Sequence, residues 1–347
     1  MAEAAALIRA GALVGMPTET VYGLAGLGTH EGALAKIFSA KDRPTFDPLI
    51  LHVHVDIGKM ILPQLDGQWV DLSTFTADAR KRLEATLQAY WPGPLTVVLP
   101  KTSAVPDLAT SGLPSVALRM PRHIVALELI QRVGAPLAAP SANRFGRISP
   151  TRAEHVAEEL GRRVPLILDG GPCTVGLEST VVAFHPDGSA SLLRPGGTPK
   201  ESIDQVVRWI DPPGATSAGL AAPGMLASHY APVKPLMRLP GCFRDADDAT
   251  VRTWFADRKE AEVPGVLLLA GDPDETFARI KRLVGLNAFV LSLSERGDRV
   301  EAAQKLFTSM RALDTSRATR LFVESQMGTL RGLDHAIDDR LRRAAAK

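Results

Sequence analysis

Pro17-Thr18-Glu19-Thr20-Val21-Tyr22-Gly23-Leu24 follows the apolar run Ala12 to Met16, and the reading of the first half of the chain starts from it. The run has the character of a strand, and the segment after it offers the hydroxyls of Thr18 and Thr20 where a strand gives way to a turn. α/β folds place ligand groups at such points, because backbone N–H groups and short polar side chains there face an open crevice. Taken alone, the segment also fits a capped turn.

Outward from it, strands are expected over Leu49 to Val55, Leu95 to Leu99, Ser115 to Arg119, Leu166 to Leu168, Ser179 to Ala183 and Ala190 to Leu193. Helices are expected over Gly32 to Ala40 (with Thr29 as a cap), Ala79 to Tyr90, Ile124 to Val133 and Arg152 to Leu160, and Met1 to Leu13 reads as a first amphipathic helix. Gly23 to Gly28 lacks the third glycine of a dinucleotide fingerprint and reads as a turn or helix entry. The composition shifts at Asp211 to Pro235, where proline and glycine gather, and this stretch reads as an extended linker. Beyond it, strands at Gly265 to Ala270, Ala288 to Leu293 and Arg320 to Glu324 alternate with helices at Glu275 to Val284, Val300 to Ala312 and Leu333 to Ala345. That alternation predicts a small parallel, Rossmann-like sheet. The expected organisation is therefore an α/β domain over 1–210, a linker over 211–235 and a second α/β domain over 236–347.

Composition argues against several classes. No apolar run approaches the roughly 18 residues of a membrane span. The two cysteines, Cys173 and Cys242, are far apart, which fits a reducing, cytoplasmic setting and small buried side chains rather than a disulfide scaffold or zinc site. Residues 1–210 hold 20 Lys and Arg against 20 Asp and Glu, so no global basic field for long RNA is visible. No Walker loop occurs, and no metal site is assigned to protein side chains.

Five more segments carry possible chemistry. Lys41-x-Arg43-Pro44, with Asp47-Pro48 behind it, fixes two cations two residues apart in a proline-stiffened loop, suited to an anion or to solvent. Arg119 ends an apolar alternation before Pro121, where it is either exposed or paired with an anion. Ala139-Pro140-Ser141-Ala142-Asn143, with Ser149 beyond, combines small residues with hydrogen-bonding groups suited to phosphate or adenine. Ser179 and Arg194 add a hydroxyl and a cation at the ends of two further strands. His229-Tyr230 lies in the linker, as either spacer or a strap over a ligand. Trp91-Pro92-Gly93-Pro94-Leu95-Thr96 has no ionisable group and reads as helix-stop and strand-start architecture.

Together these segments resemble the Sua5/YrdC/YciO family, in its longer two-domain form, from about Ala6 to Arg342. The resemblance implies a YrdC-like twisted α/β domain with a concave, cationic cavity. It implies synthesis of L-threonylcarbamoyl-adenylate and pyrophosphate from L-threonine, bicarbonate or carbon dioxide, and ATP with Mg²⁺. The product would pass to the tRNA threonylcarbamoyl transferase machinery for modification of the adenosine next to the anticodon, with no stable RNA binding required. Carried over residue by residue, Thr20, His52, Arg119, Ala139 and Ser179 match threonine contacts. Arg43, Asp47, Ser115, Ser141, Asn143, Ser149 and Arg194 match the nucleotide side, with Lys41 beside the phosphates and His229 and Tyr230 as the strap's contacts. Lys41 and Arg43 are the groups expected to act in catalysis.

Two positions depart from the family's habit: Asp47 stands where Asn is more frequent, and Ala222 where Ser is usual. A carboxylate beside a triphosphate is repulsive unless Mg²⁺ or Lys41 intervenes. Rival readings are a carbamoyl transferase built on the same domain, whose relatives carry extra modules absent from this sequence, and a non-enzymatic RNA-binding or regulatory module, against which the neutral first 210 residues argue.

Overall fold

The computed structural model describes residues 1–211, 229–257, 262–326 and 328–346. They fall into two compact units, Met1–Phe145 with Ser149–Leu226, and Gly146–Ile148 with Ala227–Lys347. Much of the linker, including Ala222 and Pro223-Gly224-Met225, lies outside the described residues.

The first unit runs α1 (Ala2–Arg9), β1 (Val14–Met16), β2 (Gly23–Leu27), α2 (Glu31–Lys41), β3 (Ile50–His52), α3 (Leu62–Leu65), α4 (Ala77–Tyr90), β4 (Leu95–Pro100), α5 (Asp107–Thr110) and β5 (Ser115–Arg119). It continues with α6 (Ile124–Val133), β6 (Leu137–Ala138), α7 (Ala153–Leu160), β7 (Leu166–Ile167), β8 (Thr180–Phe184), β9 (Ser189–Arg194), α8 (Lys200–Ile203) and β10 (Arg208–Trp209). Its strands form one mixed sheet in the order β10-β9-β8-β4-β5-β3-β6-β2-β1-β7. The main core gathers Leu34 and Ile37 of α2, Leu83 and Leu87 of α4, and alternate residues of the central strands. A second cluster packs Ala4, Ala5 and Ile8 of α1 with Ala126, Leu129 and Ile130 of α6.

Local chemistry explains the ends of these elements. The Thr76 hydroxyl accepts from Ala79 N at 3.1 Å and opens α4. The buried Glu84 carboxylate accepts from Ile61 N and Leu62 N, each at 2.8 Å, and so caps the start of α3. Two readings are corrected. The cap of α2 is His30, whose Nδ1 accepts from Ala33 N at 3.1 Å, rather than Thr29. The glycine-rich stretch is the strand β2 rather than a turn. It needs small residues because α2 lies close on it: a Cβ at Gly26 would stand 2.9 Å from Leu13 and 3.2 Å from Ile37. Several expected ranges also shorten, α1 to Ala2–Arg9 and β3 to Ile50–His52 among them.

The second unit contains β11 (Leu236–Arg238), α9 (Asp248–Trp254), β12 (Pro264–Leu268), α10 (Pro273–Val284), β13 (Phe289–Ser292), α11 (Arg299–Thr315), β14 (Arg320–Val323) and α12 (Leu333–Ala344). All pairings in its sheet, β11-β14-β12-β13, are parallel, as the alternation of strands and helices predicts. At the strand ends, where such sheets take ligands, the Glu324 carboxylate accepts from Phe243 N and Leu269 N, both at 2.6 Å. A side chain of the protein thus uses the N–H groups an external anion would need. Burial pushes its pKa above the usual value.

Candidate active site

Five neighbouring strands of the first unit, β9-β8-β4-β5-β3, carry the site by alternation, broken by a register shift between β8 and β9 at Leu193 that sets Arg194 opposite Val181. Leu51, Val97, Leu118 and Val182 belong to the main core. Ile50, Val98, Ala117, Val181 and Leu193 form a separate small cluster on the opposite face. His52, Thr96 and Arg119 stand two residues from Ile50, Val98 and Ala117, so they share that second face; Ser179, two before Val181, continues it. The register sets His52 beside Arg119, Thr96 beside Val181, and Val181 beside Arg194.

Backbone hydrogen bonds draw the loops to these strands. Val175 N donates to Glu19 O at 2.7 Å, Tyr22 N to Pro150 O at 2.8 Å, and Ala142 N to Tyr22 O at 2.8 Å. Phe145 N donates to Lys41 O at 2.8 Å, and Ala139 N to Ile50 O at 3.2 Å. The loop after β9 lies directly on the segment before β8: a Cβ at Gly196 would come within 2.4 Å of the backbone of Glu178, Ser179 and Thr180, so only glycine fits. Segments far apart in sequence are therefore joined through main-chain contacts.

Arg119 is 4% exposed and held by two hydrogen bonds and an ion pair. Its Nε donates to Gly93 O at 3.2 Å and Nη1 to Thr20 Oγ1 at 2.9 Å, while Nη2 pairs with Glu19 Oε1 at 2.8 Å. Thr20 Oγ1 also meets Thr18 Oγ1 at 2.8 Å. His52 is buried next to it, and burial, reinforced by the charge of Arg119, lowers its pKa to about 3, so the imidazole is neutral. Ala139 is buried at the following loop.

At the far side of the same face, Arg194 donates from Nε and Nη2 to Ser179 O, at 3.2 and 2.8 Å, and from Nη2 to Ser179 Oγ at 3.2 Å. Ser179 Oγ shares a 2.7 Å hydrogen bond with Thr96 Oγ1. The Ser149 hydroxyl donates to Glu178 Oε1 at 2.5 Å.

Lys41, at the end of α2, is 1% exposed and donates from Nζ to the carbonyls of Ser141 and Asn143. Burial, with a further push from Arg43, holds its pKa well below that of a free lysine. Asn143 Nδ2 donates to Arg144 O at 2.8 Å. Asp47, the carboxylate in the loop after α2, is paired at 2.9 Å with Arg43 Nη2. Arg43 also donates to Asp47 O at 3.2 Å and Pro48 O at 2.8 Å. Ser115 shares the site face of β5 with Arg119 but stands at the other end of the strand, about 13 Å away at the usual rise per residue.

His229 and Tyr230 belong to the second unit. Tyr230 has a φ of 67°, meets Phe307 of α11 at 5.6 Å between ring centroids, and lies 5.2 Å from the guanidinium of Arg340. The ring centroids of His229 and Tyr230 lie 4.2 Å apart, edge to face.

Three residues of the site were not singled out by the sequence. Glu19 was quoted between its threonines without a role, Thr96 sat in a segment read as architecture, and Glu178 preceded the assigned Ser179. The one available signal for Thr96 is that it is two residues before Val98 in a strand whose other face is wholly apolar. Both cysteines are free and buried, and burial raises Cys173 to about 12 and Cys242 to about 11, so neither is a thiolate nucleophile at neutral pH. Among the described residues, no three His, Cys, Asp or Glu side chains gather to hold a metal ion, and no helix is long and apolar enough to cross a membrane.

Known proteins match this arrangement. Residues 6–196 fit the Sua5/YciO/YrdC family model described as telomere recombination. Residues 198–346 fit the threonylcarbamoyl-AMP synthase C-terminal domain. Proteins named threonylcarbamoyl-AMP synthase are 37% identical over 349 residues in Pyrococcus abyssi, with 99% of this chain and 93% of the relative covered. Another in Bacillus subtilis is 37% identical over 353 residues, covering 99% and 92%. The crystal structure of the P. abyssi Sua5 protein complexed with L-threonine superposes with a TM-score of 0.82 at 35% identity, covering 99% of this chain and 93% of that one. The chain belongs to the Sua5/YrdC/YciO family, in the two-domain form of the threonylcarbamoyl-AMP synthases.

Proposed function

We propose that this chain is a nucleotidyltransferase that makes L-threonylcarbamoyl-adenylate and pyrophosphate from L-threonine, bicarbonate or carbon dioxide, and ATP, for threonylcarbamoylation of tRNA. The observation that carries the reading is the single sheet face on which His52, Arg119, Thr96, Ser179 and Arg194 lie, in a chain similar along its length to threonylcarbamoyl-AMP synthases, one of them solved with L-threonine.

The amino acid takes the Arg119 end. Arg119 meets its carboxylate, Thr20 and neutral His52 offer hydrogen bonds, the small Ala139 admits it, and Ser179 closes the far edge. The nucleotide takes the side of Arg43, Asp47, Ser115, Ser141, Asn143, Ser149 and Arg194, as the family resemblance implies. His229 and Tyr230 are nucleotide contacts on the family resemblance.

Once neutral, the threonine amine adds to carbon dioxide and, releasing a proton to solvent, gives a carbamate. A carbamate oxygen then displaces pyrophosphate from the α-phosphorus in line. Such a transfer needs positioning and charge stabilisation rather than a covalent nucleophile. Arg43 and Arg194 supply fixed cations, and Lys41, with two of its three N–H groups on carbonyls, shapes the Ser141–Asn143 loop and adds its remaining donor. Mg²⁺ would come with the nucleotide, because it prefers phosphate and water oxygens to an all-protein cage.

Incubation with ATP, Mg²⁺ and bicarbonate, with and without threonine, tests the reading. Threonine-dependent pyrophosphate and an adenylate of the mass of threonylcarbamoyl-AMP are expected. Pyrophosphate release indifferent to threonine, or no adenylate, overturns it.

A further inference from the structure

We propose that Glu19 recognises the α-ammonium of the amino acid substrate, and that the buried Glu19–Arg119 ion pair is a receptor for a zwitterion. The inference rests on the function proposed above.

Glu19 is 2% exposed, in the loop between β1 and β2. Its Oε1 lies 2.8 Å from Arg119 Nη2. Even so, neither carboxylate oxygen nor Arg119 Nη2 makes a hydrogen bond among the described residues. The contact is an ion pair whose donor and acceptor directions point elsewhere. Buried polar groups are nearly always hydrogen-bonded, so a donor and an acceptor that meet only as an ion pair, neither with a directed hydrogen bond, require a reason. The rest of Arg119 is satisfied, by Gly93 O and Thr20 Oγ1, so this is not a loosely placed side chain.

An α-amino acid has the complementary pattern. Its carboxylate accepts where Arg119 Nη2 donates, and its ammonium donates where Glu19 accepts. Charge points the same way. His52 is neutral, so the Glu19–Arg119 pair has no net charge, and the ligand that leaves it neutral is a zwitterion. Arg119 alone would take any carboxylate, including a hydroxy acid. Glu19 supplies the term that rejects it, because a hydroxyl in place of ammonium leaves the carboxylate without its counter-charge. Glu19 is then a specificity-determining residue for the amino group, the atom that must become the carbamate nitrogen.

The test compares L-threonine with (2S,3R)-2,3-dihydroxybutanoate, which replaces the amine with a hydroxyl, by calorimetry on the full chain and on Glu19→Gln. Wild type is expected to bind threonine about 10- to 100-fold more tightly than the hydroxy acid, the scale of one charge-assisted hydrogen bond. Glu19→Gln should lose most of that preference by weakening threonine alone, with ATP affinity unchanged. Glu19→Asp should recover part of it. Equal weakening of both ligands would assign Glu19 only to holding Arg119 and overturn the inference. So would equal affinity of wild type for both, a result that needs no variant to fold. If wild type makes the adenylate but does not discriminate, this inference fails alone; if it binds no threonine, the proposed function fails with it.

Discussion

The Arg43 guanidinium and the Asp47 carboxylate stand 2.9 Å apart with their side chains only 4% and 0% exposed. The carboxylate thus offsets a cation assigned to the phosphates, where an Asn would leave the charge in force. Asp47→Asn keeps the shape and an acceptor oxygen but removes the counter-charge from a buried guanidinium. It should lower stability by about 1 to 3 kcal/mol, the cost of a weakened buried charged hydrogen bond. It should also tighten ATP binding. Urea unfolding and ATP calorimetry on the same variant check both halves, and weaker ATP binding would show that Asp47 does not attenuate Arg43.

Thr96 of β4 and Ser179, just before β8, are both buried and share a 2.7 Å hydroxyl–hydroxyl bond, and Ser179 Oγ also takes Arg194 Nη2. Thr96→Val preserves the volume and removes one partner. A stability loss of about 1 kcal/mol is expected, with a larger effect on threonine affinity because the Ser179 hydroxyl is released to rotate. Steady-state kinetics should show KM for threonine rising while KM for ATP holds. A change confined to ATP would move Ser179 to the nucleotide side.

How far the site was legible follows from where its information resides. α6 has the expected bounds because its apolar period and the Gly134 that ends it are local. The strand-end segments were visible for the same reason: hydroxyls, prolines and glycines next to apolar runs are local signals. β2 was misread because three glycines look like a turn unless one knows that α2 lies against Gly26 and the chain around Pro136 to Pro140 against Gly23 and Gly28. Glu19 and Thr96 were missed because their meaning depends on pairing across the sheet. Nothing near Arg119 says that residue 19 will face it, and only the β4–β8 register sets Thr96 beside the strand that Ser179 leads into. The ion pair of Asp47 lay only four residues away, yet the sequence pattern pointed to phosphate because proline-flanked cations suit an anion equally well.

Lys41 joins α2 to the Ser141–Asn143 loop through two carbonyls. Lys41→Ala leaves both buried acceptors without their donor, so it should unfold more easily as well as react more slowly. Arg43→Ala removes a cation without touching that loop. Both are expected to reduce transition-state stabilisation by about 2 to 4 kcal/mol, the scale of one lost electrostatic contact at a reacting centre. The two should differ in threonine affinity, which falls in Lys41→Ala as the loop loosens and holds in Arg43→Ala. Pyrophosphate formation near the wild-type rate in both variants would remove the phosphate assignment.

His52 makes the first unit sensitive to acid. Its imidazole stays neutral in the fold down to about pH 3, because burial and the neighbouring Arg119 oppose a second charge. The unfolded chain takes up that proton near the ordinary value of about 6.5. Between these values the unfolded state binds more protons, so acidification favours unfolding; each pH unit in that window removes up to about 1.4 kcal/mol. Urea midpoints at pH 7.5, 6.0 and 5.0 should therefore fall faster for wild type than for His52→Gln, which has no proton to gain. Parallel declines in the two proteins would mean that the native site accepts the proton. In that case Arg119 would share its face with a second cation, and the neutral pairing with Glu19 would no longer describe the amino-acid end of the site.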